Sequence, residues 1–535
     1  MTAILDVNDL TISYGDGAPA LEAVSLSLGR GEVLAVVGES GSGKTTLARA
    51  VLGLLPGSAS IAAGRIRFEE LDLLASDQRQ WRALRGRRLA YIPQDPATSL
   101  NPTRRVGAQV AETLIAHGLT DRRTAGRAAV KALQNAGLRD PERAARAWPH
   151  ELSGGMRQRA LIAGAFVGDP GLIIADEPTS ALDTTVQRRV LDHLGGLVRE
   201  RGTSMLLITH DLGVALERAD RVAVMRRGHL IDVFAPDDLG VSELDPYVTE
   251  LLDAVPSLAK AVHVEKIDRD PVLAVRGLVT RYRGGVTAVD GASFDVSRGM
   301  TTALVGESGS GKTTIARTVL GLIPASEGTI RFEGTDIDSL RGEERRQLRR
   351  RVQLVQQNPH STFDPRIPIR RALAEPLKVF GLGTRQERQR RVDQLLDQVA
   401  LARSLGDRLP HELSGGQLQR AAIARALALR PEVVVCDEPV SALDVSVQAQ
   451  ILRLLRELQD ELGLTYLFIT HDLGVVGEIA HDVVVLAAGR VVEHGPLASV
   501  FGTPQHEVTR ELLAAAPGAP SARSLRDRPF GKEPA

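Results

Sequence analysis

The nine residues GESGSGKTT occur twice, at Gly38–Thr46 and, unchanged, at Gly306–Thr314. Each copy satisfies the pattern G-x-x-x-x-G-K-[ST], a glycine-rich loop between a strand and a helix. The surroundings of the first copy agree, since the apolar run Val33–Val37 predicts a strand before it and Leu47–Leu55 predicts a helix after it. We therefore expect each copy to be a phosphate-binding loop in an α/β domain.

The chemistry of this loop suits a nucleoside triphosphate. Glycines allow a tight turn in which successive backbone N–H groups converge on phosphate oxygens, and the helix that follows adds its positive N-terminal end. Lys44 and Lys312 would reach the β- and γ-phosphates, and the hydroxyls of Thr45 and Thr313 would bind Mg²⁺. The full set of candidate phosphate-binding residues is Gly38, Ser40, Gly41, Ser42, Gly43, Lys44, Thr45, Thr46, Gly306, Ser308, Gly309, Ser310, Gly311, Lys312, Thr313 and Thr314.

The whole chain is duplicated, not only the loop. Three more blocks recur in the same order and at nearly constant spacing: LSGGMRQR with LSGGQLQR, ADEPTSALD with CDEPVSALD, and ITHDLGV with ITHDLGV. Short β-branched runs alternate with helical stretches in each half, which predicts a largely parallel sheet covered on both faces. We expect two α/β domains at 1–256 and 271–517, a linker at 257–270 and a flexible tail at 518–535.

Composition excludes several classes of function. Lys+Arg and Asp+Glu both number 66 in the 535 residues, so the chain lacks the basic footprint of a nucleic-acid-binding protein. The single cysteine, Cys436, cannot form a disulfide within the chain or ligate a zinc ion or an iron–sulfur cluster with other cysteines. The first residues do not resemble a signal peptide, and no apolar run is long enough to predict a membrane span.

Paired carboxylates end an apolar run in each half, in LIIADEP and VVVCDEP. Asp176 and Asp437 suit the Mg²⁺ shell of a phosphate-loop enzyme. Glu177 and Glu438 are placed to act as general bases on the attacking water. We expect both pairs to lie beside the phosphate loops.

The LSGG stretches are a second pair of candidate phosphate cradles. Each places a serine and two glycines before a helical run rich in Arg and Ala, and a helix start of this kind attracts phosphate. A domain with a complete phosphate loop needs no second cradle for its own nucleotide, so this cradle should serve the nucleotide of another domain. Its candidate residues are Ser153, Gly154, Gly155, Ser414, Gly415, Gly416 and Gln417.

Together these blocks resemble the nucleotide-binding subunits of ABC (ATP-binding cassette) transporters, and the resemblance covers nearly the whole chain twice. It implies two tandem P-loop NTPase domains, each with a RecA-like core and a helical subdomain. The sequence pattern places these helical insertions between Gln94 and Leu152 and between Gln357 and Leu413. The resemblance implies that Gln94 and Gln357 sense Mg²⁺ and water, and that His210 and His471 contact the γ-phosphate. It implies that adenine stacks on Tyr14 and Tyr282. It also implies communication across the dimer by Asp183 and Asp444, within the loops Ser180–Asp183 and Ser441–Asp444.

The family mechanism implies two composite ATP sites formed by head-to-tail pairing of the domains. One would combine the loop at Lys44 with the signature at Ser414–Gly416, and the other the loop at Lys312 with Ser153–Gly155. No catalytic residue is lost in either half, although Met156 stands where the second signature has Gln417. We therefore expect two hydrolytic sites.

Local runs resemble the dipeptide/oligopeptide/nickel importer subfamily. These are QDPATSLNP and QNPHSTFDP after each glutamine, and the C-terminal segments Asp245–Pro256 and His506–Pro517. The resemblance implies an ATPase on the cytoplasmic face of the cell membrane with two integral-membrane permease subunits and, indirectly, an extracytoplasmic substrate-binding protein. Without a cysteine cluster, no iron–sulfur cofactor is expected. Peptides lead as cargo, with nickel or metal chelates, glutathione-like and opine-like solutes open.

Two alternatives remain at this point. A soluble tandem ABC ATPase acting on the ribosome would carry a long charged helical linker, whereas the linker here is short. A fused-cassette sugar importer ATPase would show one eroded site and would lack the S-L-N-P run.

Overall fold

The computed structural model describes residues 3–15, 17–179, 182–239, 243–255, 270–282, 284–441 and 443–516. The described residues fall into two units that divide between Ala254 and Val255. The predicted tail, and the predicted linker apart from Asp270, lie outside the described residues, so these boundaries stay predictions. Among the helices of the described part, none combines the length and the apolar character needed to cross a membrane.

Unit 1 begins with three strands and then combines helices and strands. Its elements are β1 (Ala3–Tyr14), β2 (Leu21–Gly29), β3 (Val33–Gly38), α1 (Lys44–Val51), β4 (Ala59–Phe68), β5 (Leu71–Asp72), α2 (Gln78–Leu84), β6 (Leu89–Ile92), α3 (Pro96–Ser99), α4 (Val106–Ala116), α5 (Arg122–Asn135), α6 (Pro141–Arg146), α7 (Gly154–Phe166), β7 (Leu172–Asp176), α8 (Thr184–Arg201), β8 (Ser204–Ile208), α9 (Leu212–Arg218), β9 (Arg221–Arg226), β10 (His229–Phe234) and α10 (Pro246–Ala254).

Unit 2 repeats the order of the strands, with two helices in place of α3 to α6 and two helices after its last strand. Its elements are β11 (Pro271–Arg281), β12 (Thr287–Ser297), β13 (Thr301–Gly306), α11 (Lys312–Val319), β14 (Glu327–Phe332), β15 (Thr335–Asp336), α12 (Gly342–Arg351), β16 (Val352–Val355), α13 (Ile369–Val379), α14 (Arg385–Gln398), α15 (Gly415–Leu427), β17 (Val433–Asp437), α16 (Val445–Leu462), β18 (Thr465–Ile469), α17 (Leu473–Ile479), β19 (Asp482–Ala487), β20 (Arg490–Pro496), α18 (Leu497–Gly502) and α19 (Glu507–Ala515).

The predicted parallel sheet is present in each unit. In unit 1 the strand order is β10-β9-β3-β8-β7-β6, and all neighbours are parallel except β10, which pairs antiparallel with β9. Unit 2 has the order β16-β17-β18-β13-β19-β20. The strand before each phosphate loop, β3 or β13, is therefore central, and the carboxyl ends of its neighbours meet beside the loop.

A second sheet in each unit was not predicted. It is antiparallel, with the order β2-β1-β4-β5 in unit 1 and β12-β11-β14-β15 in unit 2. In β17, Val433 and Val435 belong to a core shared with this second sheet and α11, whereas Val434 and Cys436 belong to a core shared with α15 and α16. The parallel sheet is thus covered on both faces, as expected, but an antiparallel sheet supplies much of one cover.

The predicted helical insertions are present. Helices α3 to α6 lie between Gln94 and Leu152, and α13 and α14 lie between Gln357 and Leu413. In unit 1, α4 packs against α5, α6 and α7, so the insertion joins the helix that follows the LSGG stretch.

Candidate functional site

The phosphate loop has a backbone that only glycine permits at two positions. Gly38 has a φ of 148°, and a Cβ atom added there would lie 2.1 Å from the Met225 carbonyl oxygen. At Gly43, with φ 103°, an added Cβ would lie 2.6 Å from the Ala20 carbonyl oxygen. The turn therefore packs against neighbouring backbone, which explains the fixed glycine positions of the motif.

The helix after the loop begins and ends earlier than the predicted stretch Leu47–Leu55. Helix α1 begins at Lys44 and ends at Val51, whereas the apolar run predicted helix to Leu55. Gly53 adopts a left-handed φ of 61°, a common way to end a helix, and Pro56 follows closely. The predicted end of the helix was therefore wrong, because apolar residues continue past Gly53, where the helix has already ended.

The loop lysines are buried and bonded to the loop itself. Lys44 Nζ donates to the carbonyls of Gly38 and Glu39, at 2.6 and 2.8 Å. Lys312 repeats the arrangement with Gly306 and Glu307, at 2.7 and 2.8 Å. Both side chains are 6% exposed, so each ammonium group is held inside the turn where phosphates would bind.

The predicted carboxylate, glutamine and histidine come together at the ends of three strands in unit 1. Gln94 Nε2 donates to Glu177 Oε2 over 2.7 Å, and His210 Nδ1 lies 3.2 Å from Glu177 Oε1. Glu177 follows β7 directly, Gln94 follows β6, and His210 follows β8. The general-base candidate is thus held by two side chains from neighbouring strands.

Unit 2 reproduces this cluster. Gln357 Nε2 donates to Glu438 Oε2 over 2.9 Å and to Ser441 Oγ over 3.4 Å. His471 Nδ1 lies 3.2 Å from Glu438 Oε1. The two units therefore place the same groups in the same relation.

Both glutamates have a strained backbone. Glu177 and Glu438 have φ values of 46° and 47°, in the left-handed region that non-glycine residues rarely adopt. The N–H of each donates to the strand across the sheet end, from Glu177 to Ile208 over 2.8 Å and from Glu438 to Ile469 over 2.9 Å. The chain turns sharply here, which sends the carboxylate toward the glutamine and the histidine.

The electrostatics of the cluster follow from burial and pairing. Burial alone would raise the pKa of Glu177, but the hydrogen bond and charge of His210, with Lys44, hold this pKa below its ordinary value. Burial alone would lower the pKa of His210, but Glu177 raises it above the ordinary value. Glu438 and His471 shift in the same directions for the same reasons. Each glutamate is therefore ionised and able to accept a proton.

The strand-end aspartates suit a divalent cation. Burial, followed by the charge of Glu177, raises the pKa of Asp176, and burial with Glu438 does the same for Asp437. In unit 1, Asp176 Oδ1 and Ser42 Oγ are buried without a hydrogen-bond partner. Such atoms are expected where a ligand or ion completes the site. Among the residues described, no three His, Cys, Asp or Glu side chains cluster as a metal site.

The tyrosines predicted to stack on adenine contact the loop helix. Tyr14 Oη lies 3.3 Å from Thr46 Oγ1, and Tyr282 Oη lies 3.3 Å from Thr314 Oγ1. Both rings are thus placed at the phosphate loop of their own unit, and adenine stacking stays a prediction.

The LSGG stretches form exposed helix starts. Ser153 caps α7 by accepting from the Met156 N–H, and Ser414 caps α15 by accepting from the Gln417 N–H. Only the second helix has a reciprocal bond, because Gln417 Oε1 accepts from the Ser414 N–H over 3.0 Å. Methionine has no polar group for this bond.

The second glycine of each signature touches the next long helix. A Cβ added at Gly155 would lie 2.5 Å from Val186 Cγ1, and one added at Gly416 would lie 2.4 Å from Val447 Cγ1. These valines lie in the first turns of α8 and α16, whose N-caps are the predicted residues Asp183 and Asp444. Of the preceding loops, Ser180, Ala181 and Ala442 lie outside the described residues.

Sequence reasoning missed Tyr91, whose hydroxyl donates to Asp176 Oδ2 over 3.3 Å. Burial, then the charge of Asp176, raises the pKa of Tyr91 to about 12, so the phenol stays protonated and donates. The sequence signal that could have identified Tyr91 was its position three residues before Gln94, in the strand beside LIIAD.

Comparison with known proteins shows the family of the chain. A model of the ABC transporter family matches residues 21–180 and 289–441. The chain is 41% identical to the glutathione import ATP-binding protein GsiA of Pectobacterium atrosepticum, over 98% of this chain and 91% of that protein. It is 44% identical to the peptidoglycan transport ATP-binding protein YejF of Agrobacterium fabrum, over 96% of both chains. It is 40% identical to the oligopeptide transport ATP-binding protein OppD of Mycobacterium tuberculosis, over 98% of this chain and all of that protein, 100%.

Among solved structures, CbiO1 of Clostridium perfringens, part of the ABC transporter complex CbiONQ, is similar to one unit. It is 31% identical, and the match covers 46% of this chain and 94% of that chain with a TM-score of 0.41. Two matched regions in one chain, and relatives matched over nearly their full length, establish the family. The chain belongs to the ATP-binding proteins of ABC transporters and is an ATPase with two ABC domains.

Proposed function

We propose that this chain powers the import of peptides or related small solutes through separate permease subunits. The observation that carries the proposal is that each unit holds a complete set of lysine, aspartate, glutamate, glutamine and histidine around one phosphate loop. The relatives are named for glutathione, oligopeptide and peptidoglycan transport, and these three cargoes all contain peptide bonds. This shared chemistry favours peptide-like cargo over metal chelates.

We propose that hydrolysis in unit 1 uses its own strand-end cluster. The loop N–H groups and Lys44 bind the β- and γ-phosphates. Thr45, Gln94 and Asp176 would hold Mg²⁺, which would neutralise charge at the phosphates. Glu177 accepts the proton of the attacking water, and His210 holds Glu177 in place and contacts the γ-phosphate.

The same roles fall in unit 2 to the corresponding residues. Lys312 would bind phosphate, and Thr313, Gln357 and Asp437 would hold the cation. Glu438 would be the base, supported by His471.

We propose that each ATP site is completed by the signature of the opposite unit, as in a head-to-tail pair. Each signature serine is the exposed N-cap of a 13-residue helix, whose N-terminal N–H groups can bind an anion. We propose that Asp183 and Asp444, at the starts of the helices that contact the signatures, communicate between the two sites.

The partners we propose are two integral-membrane permease subunits, with the chain on the cytoplasmic face of the cell membrane. An extracytoplasmic substrate-binding protein would select the cargo before the permease receives it. These assignments rest on the importers and transporters named among the relatives.

The test is uptake of labelled oligopeptides and glutathione in a strain from which the gene is deleted, with the chain restored on a plasmid. We expect wild type to restore uptake and to co-purify with integral membrane proteins. The matched control is Lys44→Ala with Lys312→Ala, which should still co-purify with the permease but should not restore uptake.

Association with ribosomes instead of membrane proteins would contradict the proposal. So would uptake that does not depend on the two lysines. Restored uptake of a sugar, with no effect on peptides, would reject the cargo class and leave the ATPase assignment intact.

A further inference from the structure

The strand-end aspartates of the two units have different neighbours. In unit 1 the Tyr91 hydroxyl donates to Asp176 Oδ2 over 3.3 Å. Tyr91 lies opposite Ile174 in the parallel pair of β6 and β7. In unit 2, Leu354 lies opposite Val435 in the pair of β16 and β17, which is the same place in the sheet. Leucine has no group to donate, so Asp437 lacks a bond from this strand. Its side-chain hydrogen bond is instead with Thr313, a proposed cation ligand.

Because of this hydrogen bond, the two carboxylate oxygens of Asp176 have different surroundings. Asp176 is 3% exposed, so its carboxylate has little access to water. Oδ2 accepts from the phenol, whereas Oδ1 is buried without a hydrogen-bond partner. The phenol therefore fixes the side-chain rotation and leaves Oδ1 as the oxygen available to the cation shell.

We propose that Tyr91 is a positioning residue that orients Asp176 for Mg²⁺, so that unit 1 binds Mg²⁺ with nucleotide more tightly than unit 2. The proposal rests on the Mg²⁺ site of the proposed function. Groups that hold a metal ligand in place typically change metal affinity by about 10- to 100-fold when they are removed. The duplicated chain thus carries two sites with the same catalytic groups and different cation affinities.

The test is Mn²⁺ binding to the full chain with ADP present, followed by the electron paramagnetic resonance signal of free Mn²⁺. We expect two sites per chain with unequal affinities in the wild type. Tyr91→Phe, which keeps the ring and removes the hydroxyl, should weaken the tighter site about 10-fold and leave the other unchanged. Leu354→Tyr should tighten the weaker site, and the matched control Leu354→Phe should change neither.

A second readout separates positioning from a general loss of structure. The Mg²⁺ concentration for half-maximal ATPase should rise in Tyr91→Phe while kcat at saturating Mg²⁺ changes less than twofold. A structural defect would lower kcat and the unfolding midpoint as well, and in that case Leu354→Tyr still tests the hydroxyl in unit 2.

Equal Mn²⁺ affinities in the wild type, or equal weakening of both sites by Tyr91→Phe, would overturn the role of Tyr91. Unchanged affinities in both Tyr91→Phe and Leu354→Tyr would do the same. Wild-type protein that binds no Mn²⁺ with ADP would overturn the proposed function as well.

Discussion

At the scale of single residues, Glu177 shows how the site is held. Its left-handed backbone, with φ 46°, costs on the order of 1 kcal/mol or more, which the surrounding contacts must offset. Gln94 and His210 each bond to one oxygen of its carboxylate. The pairing with His210 thus helps to keep the Glu177 carboxylate ionised, and this pairing has a pH dependence.

We predict that the Glu177–His210 pair stabilises unit 1 most between about pH 4.5 and pH 6.5, the ordinary pKa values of the two groups. The Glu177 pKa is lowered, so its contribution is present above the ordinary value and is lost as pH falls through the folded value. The His210 pKa is raised, so its contribution is complete below the ordinary value and is lost as pH rises through the folded value.

The measurement is a double-mutant cycle with His210→Ala and Glu177→Gln in nucleotide-free protein. The only tryptophans of the chain, Trp81 and Trp148, lie in unit 1, so their fluorescence reports the unfolding of that unit. We expect a coupling free energy of about 1 kcal/mol near pH 5.5 that falls well below this at pH 9. Equal coupling at both pH values would contradict the prediction.

A second prediction concerns Gly38. Alanine there would place a Cβ 2.1 Å from a backbone oxygen at a φ of 148°, so we expect unit 1 to lose more than about 3 kcal/mol of unfolding free energy. The matched control is Gly41→Ala, where φ is also positive, at 79°, but no atom lies within 4 Å. Gly41→Ala should cost only about 1 kcal/mol. Similar losses in both variants, by tryptophan fluorescence in urea, would contradict the packing argument.

The sequence predicted the residue types at the site well but not all of their contacts. Gln94, Glu177 and His210 lie in motifs whose strands end at one sheet edge, so their meeting was predictable. The bond from Tyr91 to Asp176 depends on which residues of β6 and β7 lie side by side, and a single sequence does not specify that register. The left-handed turn at Glu177 likewise has no glycine or asparagine to mark it.

At the scale of elements, the two signature helices differ in one capping bond. Gln417 returns a bond to the Ser414 N–H at the start of α15, whereas Met156 leaves α7 without one. Reciprocal caps of this kind stabilise a helix start. The first signature is therefore the less firmly capped of the two, although both serines are capping residues.

We predict that Met156→Gln raises the unfolding free energy of unit 1 by about 0.5 to 1 kcal/mol by completing this cap. The measurement is urea unfolding followed by tryptophan fluorescence. Gln417→Met is the matched control, since it alters unit 2, which has no tryptophan, and should leave the signal unchanged. A lower stability of Met156→Gln would show that the methionine makes contacts worth more than the cap.

The predictions of helices and strands succeeded where the apolar periodicity and the capping residues indicate the same boundaries. The end of α1 was wrong because Leu54 and Leu55 continue the apolar pattern past Gly53, which ends the helix. Part of the antiparallel sheet left no local pattern, because β1 and β4 pair across more than 40 intervening residues, whereas β1 and β2 pair across a short loop.

At the scale of the whole molecule, both units keep the same candidate catalytic residues. Each unit has its glutamate paired with a glutamine and a histidine at nearly equal distances. The sequence predicted this equivalence from motif identity alone. It did not predict that Tyr91 and Leu354 make the cation surroundings unequal, because neither residue belongs to a motif used in the prediction.

We predict that Glu177→Gln and Glu438→Gln each lower steady-state ATPase and cargo uptake, since each removes the base of one site. Hydrolysis at the site that carries the substitution should become at least about 100-fold slower. Single-turnover hydrolysis measured for each variant tests this directly. If one variant keeps full ATPase and uptake, the two sites do not both hydrolyse ATP for transport.

The contact between each signature and the following helix has a genetic consequence. Gly155 and Gly416 each face a valine methyl too closely to accept a side chain. An alanine at Gly155 should therefore be rescued by a second-site suppressor that trims Val186 to alanine or glycine, and not by the same change at Val447. Selection for regained growth on peptides should thus recover suppressor mutations in the same half of the chain as the original glycine substitution.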